Sequence, residues 1–148
     1  MNLRTQAALC AWLQAQNPRH YRKYGRFNYA IARTQEQVAT IIDGVVETEQ
    51  CAQPGDYIIT GSRGERFVVR PEVFARRYAD LANGIAEARG ECWAVLYTGA
   101  AFTFEAPWPG AAPMHCAPGD YLAAPDAAIS EVYRIEAGVF AETYVAVS

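Results

Sequence analysis

The sequence predicts an α+β protein, made mostly of antiparallel β-sheet and built from two related halves. The first observation is an internal repeat: residues 51–58 return as residues 116–122 around a shared Pro-Gly-Asp-Tyr. Similarity of this kind indicates that one structural unit is used twice. The second observation is that short alternating runs of apolar and polar residues are separated by turn formers, which is typical of strands. We therefore expect two β-rich halves with short helices that pack about a pseudo-twofold axis.

The chain is predicted to begin with a helix over residues 5–16. Leu9, Trp12 and Leu13 follow the spacing of one helical face, and Asn17-Pro18 ends the pattern. This helix has the character of a docking element for the rest of the protein or for a partner.

Each half is then predicted to open with a half-buried strand, over residues 27–31 and residues 93–97, because aromatic and apolar residues alternate there. In the first half, residues 38–42 and 45–51 flank Asp43-Gly44, the strongest short signal of a β-hairpin. A helix capping box at Thr34 is the alternative, but the β-branched content favours the hairpin.

The first half continues with strands over residues 57–60 and 66–69, separated by a Gly-rich loop. Phe74 and Tyr78 lie at helical spacing, with Leu81 and Ile85 further along, so a helix is predicted from residue 71 toward residue 88. The second half repeats this order, with predicted strands at residues 101–105, 112–117, 121–123 and 130–135 and a helix at residues 137–144.

These elements predict three segments within one compact protein. Residues 1–20 are the N-terminal helix and basic segment, residues 21–90 the first repeat with its connecting helix, and residues 91–148 the second, diverged repeat. In each repeat, Pro followed by Gly suits a type II turn, and Asp binds nearby backbone amides. The functional alternative makes Asp56 and Asp120 matched carboxylates at a site between the halves.

Charge is segregated along the chain. The net charge is −3, yet residues 1–33 carry +6 and the remaining residues −9. Residues 19–26 alternate basic side chains with aromatic rings, a pattern that predicts an anion-binding or nucleic-acid surface. The acidic pI of about 5.4 favours a solvated or internally paired segment instead. Together with the loop at residues 62–66, the candidate ligand-binding residues are Arg22, Lys23, Arg26, Arg63 and Arg66.

No metal or cofactor is predicted. The four cysteines form no Cys-x-x-Cys pair, and the adjacent His115 and Cys116 would point to opposite faces of a strand. A disulfide between Cys51 and Cys116 is the alternative to reduced, half-buried thiols, which we expect in a chain without an evident export signal. No apolar run reaches the roughly 20 residues of a membrane span, so a cytoplasmic protein without membrane contact is predicted.

Catalytic motifs are lacking, since neither Gly-x-Ser-x-Gly nor His-Glu-x-x-His occurs. Acid-base chemistry would fall to a histidine or to a carboxylate such as Glu65 or its repeat equivalent Glu131. The sequence favours a non-enzymatic protein over an enzyme. Trp12 on the first helix and Trp108 between two prolines are the candidate partner contacts.

Two segments of the chain carry a resemblance to a known family. Tyr21-Arg22-Lys23 forms a head, and a tail runs from Pro54-Gly55-Asp56-Tyr57-Ile58 through Gly64-Glu65 to Val69-Arg70-Pro71-Glu72-Val73-Phe74 and Tyr78. Over residues 21–79 the chain resembles small uncharacterised proteins of bacteriophages, prophages and their bacterial hosts, with the tail repeated in diverged form. It departs from them at Tyr24-Gly25, where a proline is expected. The resemblance implies an accessory protein and supplies no catalytic residues.

We therefore expect a non-enzymatic accessory or interaction protein that binds a protein partner as a monomer or homodimer. A binder of an anionic small molecule or nucleic acid is the alternative, and a small carboxylate-based hydrolase or isomerase is the second alternative.

Overall fold

The computed structural model describes residues 3–108 and 110–147, with the backbone alone for residues 47 and 48. Three short helices accompany several antiparallel sheets, so the protein is α+β and mostly β-sheet, as predicted. In chain order the described elements are α1 (Gln6–Ala15), β1 (Arg19–Lys23), β2 (Arg26–Ile31), β3 (Glu36–Ile42), β4 (Val45–Ala52), β5 (Tyr57–Thr60), β6 (Arg66–Val69), α2 (Pro71–Arg77), β7 (Tyr78–Asp80), β8 (Ile85–Ala88), β9 (Glu91–Leu96), β10 (Phe102–Phe104), β11 (Met114–Cys116), β12 (Tyr121–Ala124), β13 (Tyr133–Ile135), α3 (Ala137–Thr143) and β14 (Tyr144–Ala146).

The chain divides into two compact units. Unit 1 combines Met1–Lys23 with Glu91–Ser148, and unit 2 is Tyr24–Gly90. The predicted division set residues 1–20 apart, whereas the structure includes this segment in the same unit as the second repeat. The physical reason is strand pairing, because β1 forms backbone ladders with strands of the second repeat.

Unit 2 is a five-stranded antiparallel sheet in the order β6-β5-β2-β8-β7, with the β3–β4 hairpin against one face and α2 against the other. Apolar residues alternate between the faces of each strand, so both faces are packed. The α2 side buries Phe27, Ile59, Val69, Phe74, Tyr78, Ala86 and Ala88, and the hairpin side buries Ala32, Val38, Ala52 and Ile58.

Side chains of the hairpin satisfy the outer edge of β6. The Thr40 hydroxyl donates to the Arg66 carbonyl (2.7 Å), and the Val68 amide donates to the Gln50 side-chain oxygen (3.1 Å). Edge strands present backbone groups that invite further strand pairing. The hairpin therefore protects this edge without extending the sheet.

Unit 1 is a five-stranded antiparallel sheet in the order β13-β12-β9-β1-β14. Its first face packs on α1 and the β10–β11 hairpin, and its second face packs on α3. The first core contains Leu9, Leu13, Phe104, Met114, Cys116, Leu122, Ala124, Ile129 and Val132, and the second contains Cys92, Ala94, Ala123, Ile135 and Phe140.

In unit 1, the Gln6 side chain of α1 protects the chain just before β13. Its amide accepts from the Val132 N–H (2.8 Å) and donates to the Val132 carbonyl (2.9 Å), which imitates a strand partner. The same nitrogen also donates to the Glu105 carbonyl (2.6 Å). In unit 1, a helix side chain therefore protects the edge of the sheet, as the hairpin does in unit 2.

The two units share one order of elements: a central strand, a hairpin, two strands, a helix and a short strand. They differ in the strand that lies between the central strand and the edge strand. In unit 2 this strand is β8, which follows β7 in the chain, whereas in unit 1 it is β1, which comes from the start of the chain. This correspondence supports the predicted duplication, which stays a prediction together with its pseudo-twofold axis.

Several predicted elements are confirmed. Helix α1 begins after Thr5, whose hydroxyl accepts from the Ala8 amide, and both the β3–β4 hairpin and helix α3 lie where predicted. Each Pro-Gly-Asp forms the predicted turn: the Asp56 amide donates to the Gln53 carbonyl, and Gly55 has a φ of 94°. A positive φ at the third residue is the requirement of a type II turn.

The predicted helix from residue 71 to residue 88 is wrong beyond Arg77. Helix α2 ends there, and the chain continues as β7, a turn and β8. Ala82, Asn83 and Gly84 all have positive φ, which a helix does not tolerate. Phe74 and Tyr78 are buried at the spacing of a helical face, but Leu81 and Ile85, which seemed to continue that face, are exposed.

Two predicted strands also differ from those observed. Strand β9 covers Glu91–Leu96 instead of residues 93–97, and Trp93 and Val95 are half-buried as predicted. Cys92 and Ala94 on its other face are buried as well, because both faces of this sheet are covered. The strand predicted at residues 130–135 is confined to Tyr133–Ile135. Pro109 of the predicted loop lies outside the described residues.

Candidate functional site

Asp56 and Asp120 are buried turn residues in their respective units. In unit 1, the Asp120 carboxylate accepts from the Ala117 amide (2.9 Å), the Ala137 amide (3.2 Å) and the Arg134 guanidinium (3.4 Å). In unit 2, Asp56 accepts from the Gln53 amide (2.9 Å) and pairs with Arg70. A buried carboxylate needs such donors to offset desolvation. Both carboxylates therefore serve the folds of their own units.

The arginine partner comes from a different place in each unit. Arg134 lies within β13 and its side chain is 4% exposed, whereas Arg70 directly precedes α2 and is 45% exposed. The Glu136 side chain, which takes the place of Arg70 in unit 1, caps α3 by accepting from the Gly138 and Val139 amides. The ion pair is thus present in both units although its basic residue is not repeated.

The two candidate glutamates differ in burial. Glu65 is buried, accepts from the Arg63 amide (3.0 Å), and lies where any side chain on Gly61 would have to be. Glu131 is half-buried in unit 1. The contacts of Glu65 indicate a loop-closing role.

The five predicted ligand-binding cations are divided between the units. Arg22 and Lys23 are neighbours on β1 and therefore point to opposite faces of the unit 1 sheet. In unit 2, Arg26 pairs with Glu87 (3.5 Å), Arg63 with Asp43 (2.6 Å) and Arg66 with Glu36 (3.7 Å). Three of the five predicted cations thus have carboxylate partners.

The two candidate tryptophans are both in unit 1. Trp12 is half-buried beside the core under α1, with its ring edge-on to Tyr97 at 6.3 Å. Trp108 is 36% exposed, and its ring lies 6.1 Å from that of Tyr133. Trp12 therefore contributes to packing, and Trp108 is the more accessible of the two.

The tip of the β3–β4 hairpin is a surface feature that sequence reasoning missed. Ile41, Val45 and Val46 are 46%, 59% and 55% exposed. The signal was present, because Val45 and Val46 follow Asp43-Gly44 directly, and consecutive residues of a strand point to opposite faces. Two adjacent valines at a hairpin tip cannot both face one core.

Two of the four thiols, Cys10 and Cys116, have raised pKa values. Burial raises the pKa of Cys116 to about 12, and burial together with nearby carboxylates raises the pKa of Cys10. All four cysteines are free; Cys10 and Cys51 are half-buried, whereas Cys92 and Cys116 are fully buried, beyond the half-burial that the sequence predicted. Reactive thiols instead have lowered pKa values in electropositive surroundings.

Within the described part of the chain, no group of three or more His, Cys, Asp or Glu side chains is arranged to hold a metal ion. His20 instead contacts Glu91 (2.9 Å) and stacks on Trp93 at a ring separation of 4.3 Å. None of the helices in the same residues is long and apolar enough to cross a membrane.

The family comparison includes both Pro-Gly-Asp-Tyr turns. The model of the PGDYG protein family matches residues 48–145, from within β4 into β14. The match leaves out the head of the resemblance at residue 21 and continues through the second repeat, beyond its predicted end at residue 79. No curated protein and no solved structure matches the chain. Because the family model covers more than half of the 148 residues, the chain belongs to the PGDYG protein family.

Proposed function

We propose that this protein is a non-enzymatic accessory protein that binds a protein partner through the tip of its β3–β4 hairpin. The observation that carries the proposal is the exposure of Ile41, Val45 and Val46, three branched apolar side chains at one tip. Exposed apolar groups that cluster, unlike scattered ones, mark interaction surfaces.

The hairpin presents these side chains on both of its faces. Ile41 and Val46 are direct partners across the ladder and share one face, whereas Val45 is opposite Ile42 on the other. The ladder shifts register between Thr40 and Ile41, which marks a bulge just before the tip. Bulges of this kind redirect side chains at the end of a hairpin.

The tip also contacts the sheet of its own unit. Asp43 at the tip pairs with Arg63 of the β5–β6 loop (2.6 Å), so the tip is tied to the sheet of unit 2. An element that is already ordered loses less conformational entropy on binding. An apolar tip with this ion pair at its end therefore suits recognition of an apolar groove on a partner protein.

The candidate catalytic carboxylates have structural contacts that favour a non-enzymatic role. Asp56, Asp120 and Glu65 each accept from backbone amides of their own unit. The alternative, an anion or nucleic-acid binder, would have to separate three of the five predicted cations from their carboxylate partners. The second alternative, a carboxylate-based hydrolase or isomerase, would need Glu65 released from its loop.

The cellular setting belongs to the same proposal. The resemblance to phage and prophage proteins favours an accessory protein of a bacteriophage or bacterial locus, acting in the cytoplasm as a monomer or homodimer.

The test compares Val45→Thr/Val46→Thr with Val145→Thr/Val147→Thr, a matched pair of exposed valines in unit 1. Threonine keeps the β-branched shape and removes apolar surface, so both variants should fold. A partner is first identified by cross-linking in cells, and its affinity for each purified variant is then measured by calorimetry.

We expect the tip variant to bind the partner about tenfold more weakly, about 1.4 kcal/mol, and the unit 1 variant to bind as the unchanged protein does. Equal affinity of the tip variant and the unchanged protein would contradict the proposed surface. Turnover of a metabolite by the purified protein would contradict the non-enzymatic role.

A further inference from the structure

The turn between β7 and β8 contains an Asn-Gly pair that the proposed function does not use. Asn83 and Gly84 have φ values of 56° and 74°, and the Ile85 N–H donates to the Ala82 carbonyl (3.1 Å). Positive φ at both central residues is the mark of a type I′ hairpin turn. Asn83 is exposed. Its side-chain amide is therefore in water, next to the one residue type that lacks a Cβ.

An asparagine can lose its side-chain amide by reaction with its own backbone. The peptide nitrogen of the next residue attacks Cγ, a C–N bond forms, the Cγ–Nδ2 bond breaks, and ammonia leaves with the proton of the attacking nitrogen. Water then opens the resulting succinimide ring at either carbonyl, which gives aspartate or isoaspartate. The reaction consumes only water, because both reacting groups belong to one pair of neighbouring residues.

Two of the three asparagines that the structure describes lack a free attacking nitrogen. Asn17 precedes Pro18, and proline has no backbone N–H to lose. Asn28 lies within β2 and precedes Tyr29, whose N–H donates to the Gly84 carbonyl (2.8 Å). Cyclisation at Asn28 would therefore have to break a backbone hydrogen bond of the sheet.

The surroundings of Asn83 are different. Within the described residues, neither its side chain nor the Gly84 N–H has a hydrogen-bond partner, so neither reacting group has to be released from one. Ala82 also has a positive φ, of 70°, and consecutive non-glycine residues are disfavoured in this region. Opening this turn relieves that strain and lets the Gly84 nitrogen reach Cγ of Asn83.

We propose that Asn83 is a site of spontaneous covalent modification, at which the folded protein loses the side-chain amide and gains aspartate or isoaspartate. This site goes beyond the proposed partner-binding tip, because it lies in the β7–β8 turn and its reaction needs no partner.

The modification changes one end of the unit 2 sheet. Aspartate adds a negative charge to a turn that already contains Asp80, whose carboxylate accepts from the Tyr29 hydroxyl (2.9 Å) and the Ala82 amide (2.8 Å). Isoaspartate lengthens the backbone by one carbon atom just before Gly84, which displaces the Gly84 carbonyl from the Tyr29 N–H. Isoaspartate therefore loosens the pairing of β8 with β2 at this end.

The test incubates the full chain at neutral pH and physiological temperature and compares its tryptic peptides with those of an unincubated sample by mass spectrometry. Asn83 lies in peptide 78–89 and Asn28 in peptide 27–33. Peptide 78–89 should gain the mass difference between NH₂ and OH. It should convert at least about tenfold faster than peptide 27–33, in which a hydrogen bond must break first. The rate should rise in proportion to the hydroxide concentration, because the attacking nitrogen must lose its proton.

Two matched variants locate the reaction. Asn83→Gln keeps an amide but would have to close a larger ring, so it should abolish the mass gain. Asn28→Gln makes the same change on β2 and should leave the mass gain unchanged. Incubation of the unchanged chain in urea measures the rate in the unfolded state, so the comparison does not depend on the folding of either variant.

Conversion in the folded chain that is lost in Asn83→Gln and kept in Asn28→Gln supports the site. The proposal is overturned by an intact Asn83 in the folded chain after half of the urea-unfolded chain has converted, or by equal conversion at Asn28. In the isoaspartate form, the Tyr29 amide should exchange with solvent at least about tenfold faster, since it loses its acceptor. Unchanged exchange would overturn the loosening of this end of the sheet.

Discussion

The two Pro-Gly-Asp aspartates are equivalent in sequence, yet the structure predicts that their removal has unequal effects. In Asp120→Ala, three donors lose their acceptor, and one of them is the Arg134 guanidinium, only 4% exposed. Breaking a buried ion pair from one side costs about 3–5 kcal/mol. In Asp56→Ala, Arg70 is 45% exposed and turns to water, so we expect about 1–3 kcal/mol, mainly for the orphaned turn amide.

The assay is urea unfolding of both variants, followed by two probes. All three tryptophans belong to unit 1, so tryptophan fluorescence follows that unit, while far-UV circular dichroism follows both. Noncoincident transitions would show that the units unfold separately. At about 3 °C per kcal/mol for a chain of this size, Asp120→Ala should lower the melting temperature by about 9–15 °C.

The reasoning depends on the exposure of the arginine and is refuted by two outcomes. The first is a loss of stability in Asp56→Ala equal to or larger than that in Asp120→Ala. The second concerns Asp120→Asn/Arg134→Met, which removes both charges and keeps most of the volume. This double variant should regain part of the stability lost in Asp120→Ala, and failure to regain any would show that the charge pair is not the source of the loss.

Three further predictions concern single residues. Gly61→Ala should cost about 1–3 kcal/mol of unfolding free energy, because its methyl group displaces the buried Glu65 carboxylate; urea unfolding in a Glu65→Ala background, where the penalty should shrink, checks the cause. Gln6→Ala should speed hydrogen exchange of the Val132 amide at least tenfold, since the amide loses its acceptor; unchanged exchange would contradict the strand-mimicking role. The pKa of the Cys116 thiol is raised from 9.0 to about 12, so the thiol ionises at lower pH in the unfolded chain than in the folded protein. The contribution of the neutral thiol to stability is therefore present below pH 9 and decreases between pH 9 and 12. Over this range, the free energy of unfolding should decrease less steeply in Cys116→Ala than in the unchanged protein.

Elements whose signals lie within a few residues were predictable. The helix of residues 5–16 needs only a cap, an apolar face and a terminating proline, and the hairpin at residues 38–51 needs only Asp-Gly between β-branched runs. The same spacing rule failed after Arg77, because apolar residues four positions apart also arise where a helix ends in a strand. A continuous helix and a helix followed by a strand would both bury Phe74 and Tyr78, so periodicity alone could not distinguish the two structures.

The candidate sites were less predictable than the elements. The predicted cations were chosen as a basic cluster along the chain, yet alternation puts Arg22 and Lys23 on opposite faces, and carboxylates pair with Arg26, Arg63 and Arg66. The exposed hairpin tip was overlooked because apolar residues are assigned to the core by default.

By itself, the sequence determined the fold class, the turns and the family membership, because these depend on residue types at fixed local spacings. Only the tertiary structure decided that β1 lies between β9 and β14, and that Arg134 and Arg70, which are not repeat equivalents, pair with equivalent aspartates. The physical reason is that two choices depend on which groups remain unsatisfied after the whole unit has packed. One is the pairing of β1 with strands about 70 and about 120 residues away along the chain, and the other is the donor of a buried carboxylate.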